Sequence, residues 1–335
     1  MRAVEEVFTV AEESIPRPWR VDDPARVARR IASIRSLARS RSAILLAHNY
    51  QLPEVQEAAD FVGDSLGLSL EAQKTRARAI VFCGVHFMAE SAKILNPDKT
   101  VLLPSLAAGC ALADSITPEA LSKWKERYPD HTVVTYINSS AEVKAMSDIC
   151  CTSANAVTVV RSLPSRKILF TPDRNLGRWV ARQVPEKEIV VYDGACPTHD
   201  VLRDASVDRA RRGHPGAVVI AHPECREDVL AMADEICSTS GMLEAVRRHP
   251  EARTFIVATE WALIHQLKKR YPDRQFIPAD GCIGCRLHCP YMKMITLDAV
   301  ERALLENVFE ITVDAEDAVL ARRALERMMA VPRDR

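Results

Sequence analysis

The chain carries no excess of either charge: 45 Lys and Arg residues stand against 45 Asp and Glu over 335 residues. A nucleic-acid binder draws much of its affinity from a basic footprint that neutralises phosphates, so that class is set aside, and any anionic ligand must be held locally. Long apolar runs are also missing. No stretch approaches the ~18 residues that a membrane span needs. The opening, MRAVEEVFTVAEE, is acidic where a secretory signal would be basic and then apolar. These absences lead us to expect a cytoplasmic protein with neither membrane nor nucleic-acid partners. No low-complexity segment appears, and at ~100 to 200 residues per domain the length leaves room for two or three domains.

Ten cysteines are present. In a reducing compartment they serve metal binding or catalysis more often than disulfides. Free cysteine also packs well as a small core residue. That explanation suits Cys83, Cys150, Cys225 and Cys237, which sit in or beside apolar segments. The other positions become meaningful only through an internal repeat.

Three apolar, β-branched runs end in similar polar triplets: AILLAHNY (Ala43–Tyr50), TVVTYIN (Thr132–Asn138) and AVVIAHPE (Ala217–Glu224). Anchored on His48, Tyr136 and His222, they are spaced 88 and 86 residues apart. Seventeen residues after each anchor stands a hydroxyl, Ser65, Ser153 or Thr239, placed like the N-cap of a following helix. A second strand-like run follows (AIVFCGV, KILFTPD, TFIVATE), then a third (TVLLPS, EIVVYDG, RQFIPAD), and then a cysteine: Cys110, Cys196 or Cys289. Doubly apolar strands alternating with helical segments predict small parallel sheets covered by helices. The expected architecture is α/β: three β-α-β-α-β blocks, residues 1–113, 114–199 and 200–295, in a pseudo-threefold arrangement around one central site. Within the first, the Arg-rich stretch Pro24–Arg39 reads as a solvated surface helix after the Pro-rich segment Ile15–Pro18. Residues 296–335 read as a helical tail packing back on the first block.

In parallel sheets, ligands bind beyond the carboxyl ends of the strands, where the triplets and cysteines fall. One cysteine per block suits a metal site. Thiolates favour zinc or iron-sulfur clusters, and three of them on a four-metal cluster leave one iron open as a Lewis acid. The sequence Cys282-Ile-Gly-Cys285-Arg-Leu-His-Cys289 supports a competing zinc or redox module. Ser65, Ser153 and Thr239 read either as ordinary caps or as three anion sites at helix N-termini. Among the polar groups at strand ends (His48, Asn49, Tyr50, Tyr136, Asn138, His222, Glu224), Glu224 is the preferred general base. His199, three residues after Cys196, would lie beside the metal.

Taken in order, AHNYQ, ADFVGDSLGLS, GVHFMAESAKILNP, AGCALAD, YINSSAEVKA, CTSANA, FTPDRNLG, GACPTH, AHPEC, STSGM and CPYMKMITL strongly resemble the quinolinate synthase family over about Ala47 to Leu297. The resemblance implies a three-domain pseudo-threefold fold and an iron-sulfur enzyme of de novo NAD biosynthesis. That enzyme would condense iminoaspartate with dihydroxyacetone phosphate to quinolinate, phosphate and two waters, in functional coupling with the enzyme that supplies iminoaspartate. By matching position it implies a [4Fe-4S] cluster on Cys110, Cys196 and Cys289. The implied substrate contacts are His48, Ser65, Tyr136, Ile137, Asn138, Ser153, His222, Pro223, Glu224 and Thr239, with Tyr50 and His199 nearby as catalytic groups. Some family members carry C-x-x-C-x-x-C before the final proline; this chain has one extra residue between Cys285 and Cys289, and a regulatory Cys282–Cys285 disulfide is one reading of that pair.

Overall fold

The computed structural model describes residues 23–281 and 287–334. The Ile15–Pro18 segment and the Cys282–Cys285 pair lie outside the described residues.

Each apolar run forms a strand, and the two central strands of each block are covered on both faces. In the first block, β1 (Ala43–His48) lies between β2 (Phe61–Gly63) and β3 (Ala79–Cys83), with β4 (Thr100–Leu102) beyond β3, all parallel. Leu45, Leu46, Ile80 and Val81 are buried, and each such side chain contributes about 1.5–3 kcal/mol when removed from water. The second block repeats the pattern with β5 (Thr132–Tyr136), β6 (Ile149–Cys151), β7 (Lys167–Thr171) and β8 (Glu188–Val191). The third does so with β9 (Val218–Ala221), β10 (Glu235–Ile236), β11 (Thr254–Ala258) and β12 (Gln275–Pro278). Counted within a block, the spatial order is always second, first, third, fourth. The molecule is therefore a threefold repeat of one small parallel α/β unit.

Each block has one strand more than the sequence reading proposed. The additions, β2, β6 and β10, are edge strands of two or three residues. Segments that short show no periodicity and are defined only by their backbone pairing.

The Arg-rich helix, Pro24–Ser40, is capped by the Asp23 carboxylate, which accepts from the N–H groups of Ala25 and Arg26. It is not merely solvated: Ile31, Ile34 and Ala38 are buried in the core while its arginines face outward. The tail forms two helices. Leu297–Glu306 lies against Pro24–Ser40 and β3 of the first block. Ala315–Met329 crosses Ala141–Ala145 and β6 of the second block as well as helix His86–Leu95 of the first, so the tail bridges two blocks rather than packing on the first alone. Among the described residues, no helix is long and apolar enough to cross a membrane.

Candidate active site and metal centre

The carboxyl ends of the three sheets converge on one cavity, whose wall includes Cys110, Cys196 and Cys289, one from each block. All three are free thiols. Each is followed within three residues by a helical turn: Ala113–Ser115 after Cys110, Pro197–Asp200 after Cys196, and Met292–Met294 after Cys289. The first N–H groups of such turns have no internal partner and favour negative charge. Those of Leu112 and Ala113 point at the Cys110 sulfur, and those of Tyr291 and Met292 at that of Cys289. Burial pushes the Cys110 thiol up to about 12 and those of Cys196 and Cys289 upward as well; the charges of Cys110 and Cys289 add to the effect on Cys196. Three buried soft donors, two of which the charges of the others make costlier to ionise, suit a shared cation, which discharges all three at once.

Beside the sulfurs lies a carboxylate held by two imidazoles. Glu224 Oε2 is 2.9 Å from His199 Nδ1 and 3.2 Å from His222 Nδ1, and the two rings stack with centroids 4.9 Å apart. His199 Nδ1 is also 3.2 Å from the Cys196 sulfur; Cys196, His199 and Glu224 each bring a ligand atom within 4.8 Å of the others. With the Nδ1 proton directed at the carboxylate, His199 Nε2 is left to accept from Thr259 Oγ1 at 2.9 Å, and that hydroxyl is 2.5 Å from the Tyr50 phenol. His222 Nε2 meets Ser153 Oγ at 3.1 Å. Burial would raise the Glu224 carboxyl, but the imidazoles more than offset it and hold the group well below the usual carboxylate range. Burial keeps His222 below its ordinary value and His48 down at about 4, and pushes the Tyr50 and Tyr136 phenols well up. At neutral pH the wall therefore offers the ionised Glu224 and Asp64 carboxylates, uncharged His48 and His222 rings and protonated phenols. Glu224 Oε1 and Asn138 Oδ1 are buried without a hydrogen-bond partner, so the cavity presents unsatisfied acceptors to a ligand.

The three hydroxyls occupy the cavity wall but do not cap the helices. Asp64 caps Ser65–Lys74 by accepting from Gly67 N–H, and Ser238 caps Thr239–Arg248 by accepting from Gly241 N–H. Ser65 and Thr239 are the first helical residues, one position further on. Ser153 lies in the turn before Ala156–Ser162, whose N-cap position is Asn155. Capping by a neighbour leaves the hydroxyls free for the cavity; Thr239 Oγ1 accepts from Asn49 Nδ2 at 2.8 Å. Among the described residues no Lys or Arg lines this cavity. A bound anion must be matched by hydroxyls, imidazoles and the two helix N-termini.

His48, Tyr50, Ser65, Cys110, Tyr136, Asn138, Ser153, Cys196, His199, His222, Glu224, Thr239 and Cys289 all line the one cavity. Ile137 and Pro223 do not. They are buried beside it, one in the bend that follows β5 and the other in the turn that follows β9, which is closed by the Cys225 N–H on the His222 carbonyl at 2.9 Å. Tyr136 and Asn138, or His222 and Glu224, face inward while the residue between them faces the core. The sequence reading missed Asp64, Thr259 and Glu260, which also reach the site. Thr259 and Glu260 end the run TFIVATE, so the signal was there: a polar pair closing a strand that should otherwise continue apolar.

A three-block α/β scaffold, a buried carboxylate-imidazole network and a set of donors suited to a metal cofactor define an enzyme active site. The family model for Quinolinate synthetase A protein matches residues 32–330. Quinolinate synthase of Geotalea uraniireducens is 53% identical over 301 residues, covering 90% of this chain and 97% of that protein. The enzyme of the same name from Thermodesulfovibrio yellowstonii is 48% identical over 305 residues, covering 91% and 99%. The chain belongs to the quinolinate synthase family.

Proposed function

We propose that the cavity condenses iminoaspartate with dihydroxyacetone phosphate to give quinolinate, phosphate and two waters, with a [4Fe-4S] cluster on Cys110, Cys196 and Cys289. The observation that carries this reading is the meeting of three free cysteines from three separate blocks beside a buried glutamate with one unpartnered oxygen. The donor set fits the cofactor: three thiols share one wall, and no fourth cysteine lines it among the described residues. When bound, the cluster supplies a Lewis-acid iron at the corner that no cysteine covers.

The protein's own groups account for the rest. Glu224 Oε1 takes protons from carbon during isomerisation and aromatisation, its other oxygen being fixed by His199 and His222. Tyr50, through Thr259 and His199, forms a line of groups able to return a proton toward Glu224. Tyr136, a protonated phenol on the same wall as Glu224, is placed to donate to oxygen. Ser65, Ser153, Thr239 and Asn138, with the helix N-termini at Ser65 and Thr239, match the substrates' carboxylates and phosphate. Closure of the wall keeps water from the imine. Supply of iminoaspartate by a separate enzyme, and a cytoplasmic setting, belong to the same reading.

The test is direct. Anaerobically prepared protein, reconstituted with ferrous iron and sulfide, is expected to release inorganic phosphate from dihydroxyacetone phosphate only when iminoaspartate is generated alongside, with quinolinate in equal amount. Cys110→Ala, Cys196→Ala and Cys289→Ala are each expected to lose iron. Normal metal content in the first two variants would move the site to the cysteines around Cys289 and overturn the proposal.

A further inference from the structure

The three cysteine loops are docked by the same backbone contact. In each block the third strand in sequence (β3, β7 or β11) is followed by a residue whose N–H donates to the carbonyl two positions before the cysteine. These are His86 to Ala108 at 2.8 Å, Arg174 to Gly194 at 2.7 Å, and Trp261 to Leu287 at 2.9 Å. The residue just before each donor occupies an equivalent place two positions past the strand: Val85, Asp173 and Glu260. In two blocks of three that place holds a fully buried acid.

Those two acids make the same pair of bonds. Asp173 accepts from Cys196 N–H through Oδ2 at 3.0 Å and from Leu176 N–H through Oδ1 at 2.7 Å. Glu260 accepts from Cys289 N–H through Oε1 at 3.3 Å and from Ala262 N–H through Oε2 at 2.9 Å. One oxygen fixes the segment leaving the strand and the other grips the cysteine's own peptide. A buried carboxylate is costly unless its oxygens are filled. Any polar acceptor would serve a helix start, so twice using a buried acid where a single hydroxyl suffices for capping calls for a second task. Gly194 fits the same picture: a side chain there would bring its Cβ to 2.6 Å from the Pro172 carbonyl oxygen, so only glycine lets the Cys196 loop approach Asp173 this closely.

We propose that Asp173 and Glu260 are positioning residues that set the direction of Cys196 and Cys289 toward their common metal centre, while Val85 leaves the Cys110 loop held by the backbone alone. This rests on the three-cysteine reading above. Groups that orient a ligand from behind govern how well a metal is kept, and their loss costs about 10–100-fold in affinity.

The experiment compares the intact chain with Asp173→Ser, which keeps a hydroxyl able to cap Leu176 but is too short to reach Cys196. Full-length protein is reconstituted anaerobically, and loss of iron to an excess of chelator is followed by absorbance. Thermal unfolding of the metal-free protein is measured in parallel. Asp173→Ser is expected to lose iron about tenfold faster while unfolding close to the unsubstituted chain. Should that variant not fold, the double variant Glu260→Met/Lys293→Met removes both acceptor oxygens of the second clamp together with the counter-charge and is expected to show the same acceleration. Iron loss within twofold of the intact chain in a folded variant overturns the clamp. Cys196→Ala is the control: normal iron loading there overturns the metal reading itself, whereas failure to load with unchanged kinetics in Asp173→Ser overturns only the clamp.

Discussion

Glu260 is held by Lys293 as well as by backbone, and this pair allows a stability prediction of definite size. Lys293 Nζ lies 2.6 Å from Glu260 Oε1, with side-chain exposures of 1% and 0%. The ammonium also donates to the Tyr50 carbonyl and sits 4.9 Å from the Trp261 ring centre. Lys293→Met keeps the apolar stem and deletes the charge. It strands a buried carboxylate, and breaking one side of such a pair costs about 3–5 kcal/mol. The N–H groups of Ala262 and Cys289 still serve that carboxylate, which places the expected loss near the lower end, about 3 kcal/mol. Glu260→Gln/Lys293→Met removes both charges; the amide oxygen still serves one of the two N–H groups, and what remains is the other N–H without an acceptor and a Tyr50 carbonyl without its donor, together about 2 kcal/mol. Denaturant unfolding of the full chain, followed by tryptophan fluorescence, measures both. The double variant is expected to be more stable than the single one by about 1 kcal/mol, the difference between those costs. A double variant no better than Lys293→Met would refute the reasoning, since the loss would then come from packing or the Tyr50 contact and not from a stranded charge.

Three further outcomes follow from the site and its supports. Glu224→Gln is expected to keep its iron and lose at least about 100-fold in turnover, because the amide cannot accept the proton; unchanged turnover removes Glu224 from the chemistry. Arg333 pairs with both oxygens of Asp64, the cap of the helix that presents Ser65, and together with the N–H of Gly67 outweighs the effect of burial to hold that carboxyl below its usual value. Arg333→Ala is therefore expected to raise KM by about fivefold, the worth of roughly 1 kcal/mol for a part-exposed pair, with kcat little changed; identical KM values would show that Asp64 needs no such partner. Burial raises the Glu57 carboxyl, but His265 and Lys269 overcome this and lower it from 4.5 to about 2. A depressed carboxylate stabilises the fold above its unfolded value, so this contribution is whole above pH about 4.5 and disappears as pH falls toward 2. Unfolding midpoints measured across that window should fall less steeply in Glu57→Gln, and parallel curves would count against the pair.

How much of this was legible beforehand depends on what carries the information. The repeat was visible because every block must end its first strand at the same surface, and an apolar run that stops at a polar triplet marks that surface in letters. The cysteines were found by the same register. The edge strands were not, since Phe61–Gly63, Ile149–Cys151 and Glu235–Ile236 owe their pairing to peptide groups that every sequence shares. The caps were displaced by one residue for a related reason: Asp64 and Ser65, or Ser238 and Thr239, are both able to cap, and only the backbone decides which side chain turns back and which is released into the cavity. Ile137 and Pro223 were included because a motif is read as a string, whereas the turns after β5 and β9 send the residue between two cavity groups into the core. Asp173 and Glu260 were in view as the ends of KILFTPD and TFIVATE, yet their role requires knowing that the strand end lies against a loop more than twenty residues further on. A buried acid at a strand end announces that some N–H or cation waits there; which one it is comes from the fold. In the first block Val85 stands in that register and no acid is needed to dock the loop, so the carboxylates of the other two are additions to a backbone contact that already suffices to fold each block. That is why their effect is expected on metal retention before stability, and why Cys196 and Cys289, rather than Cys110, are where it should be measured.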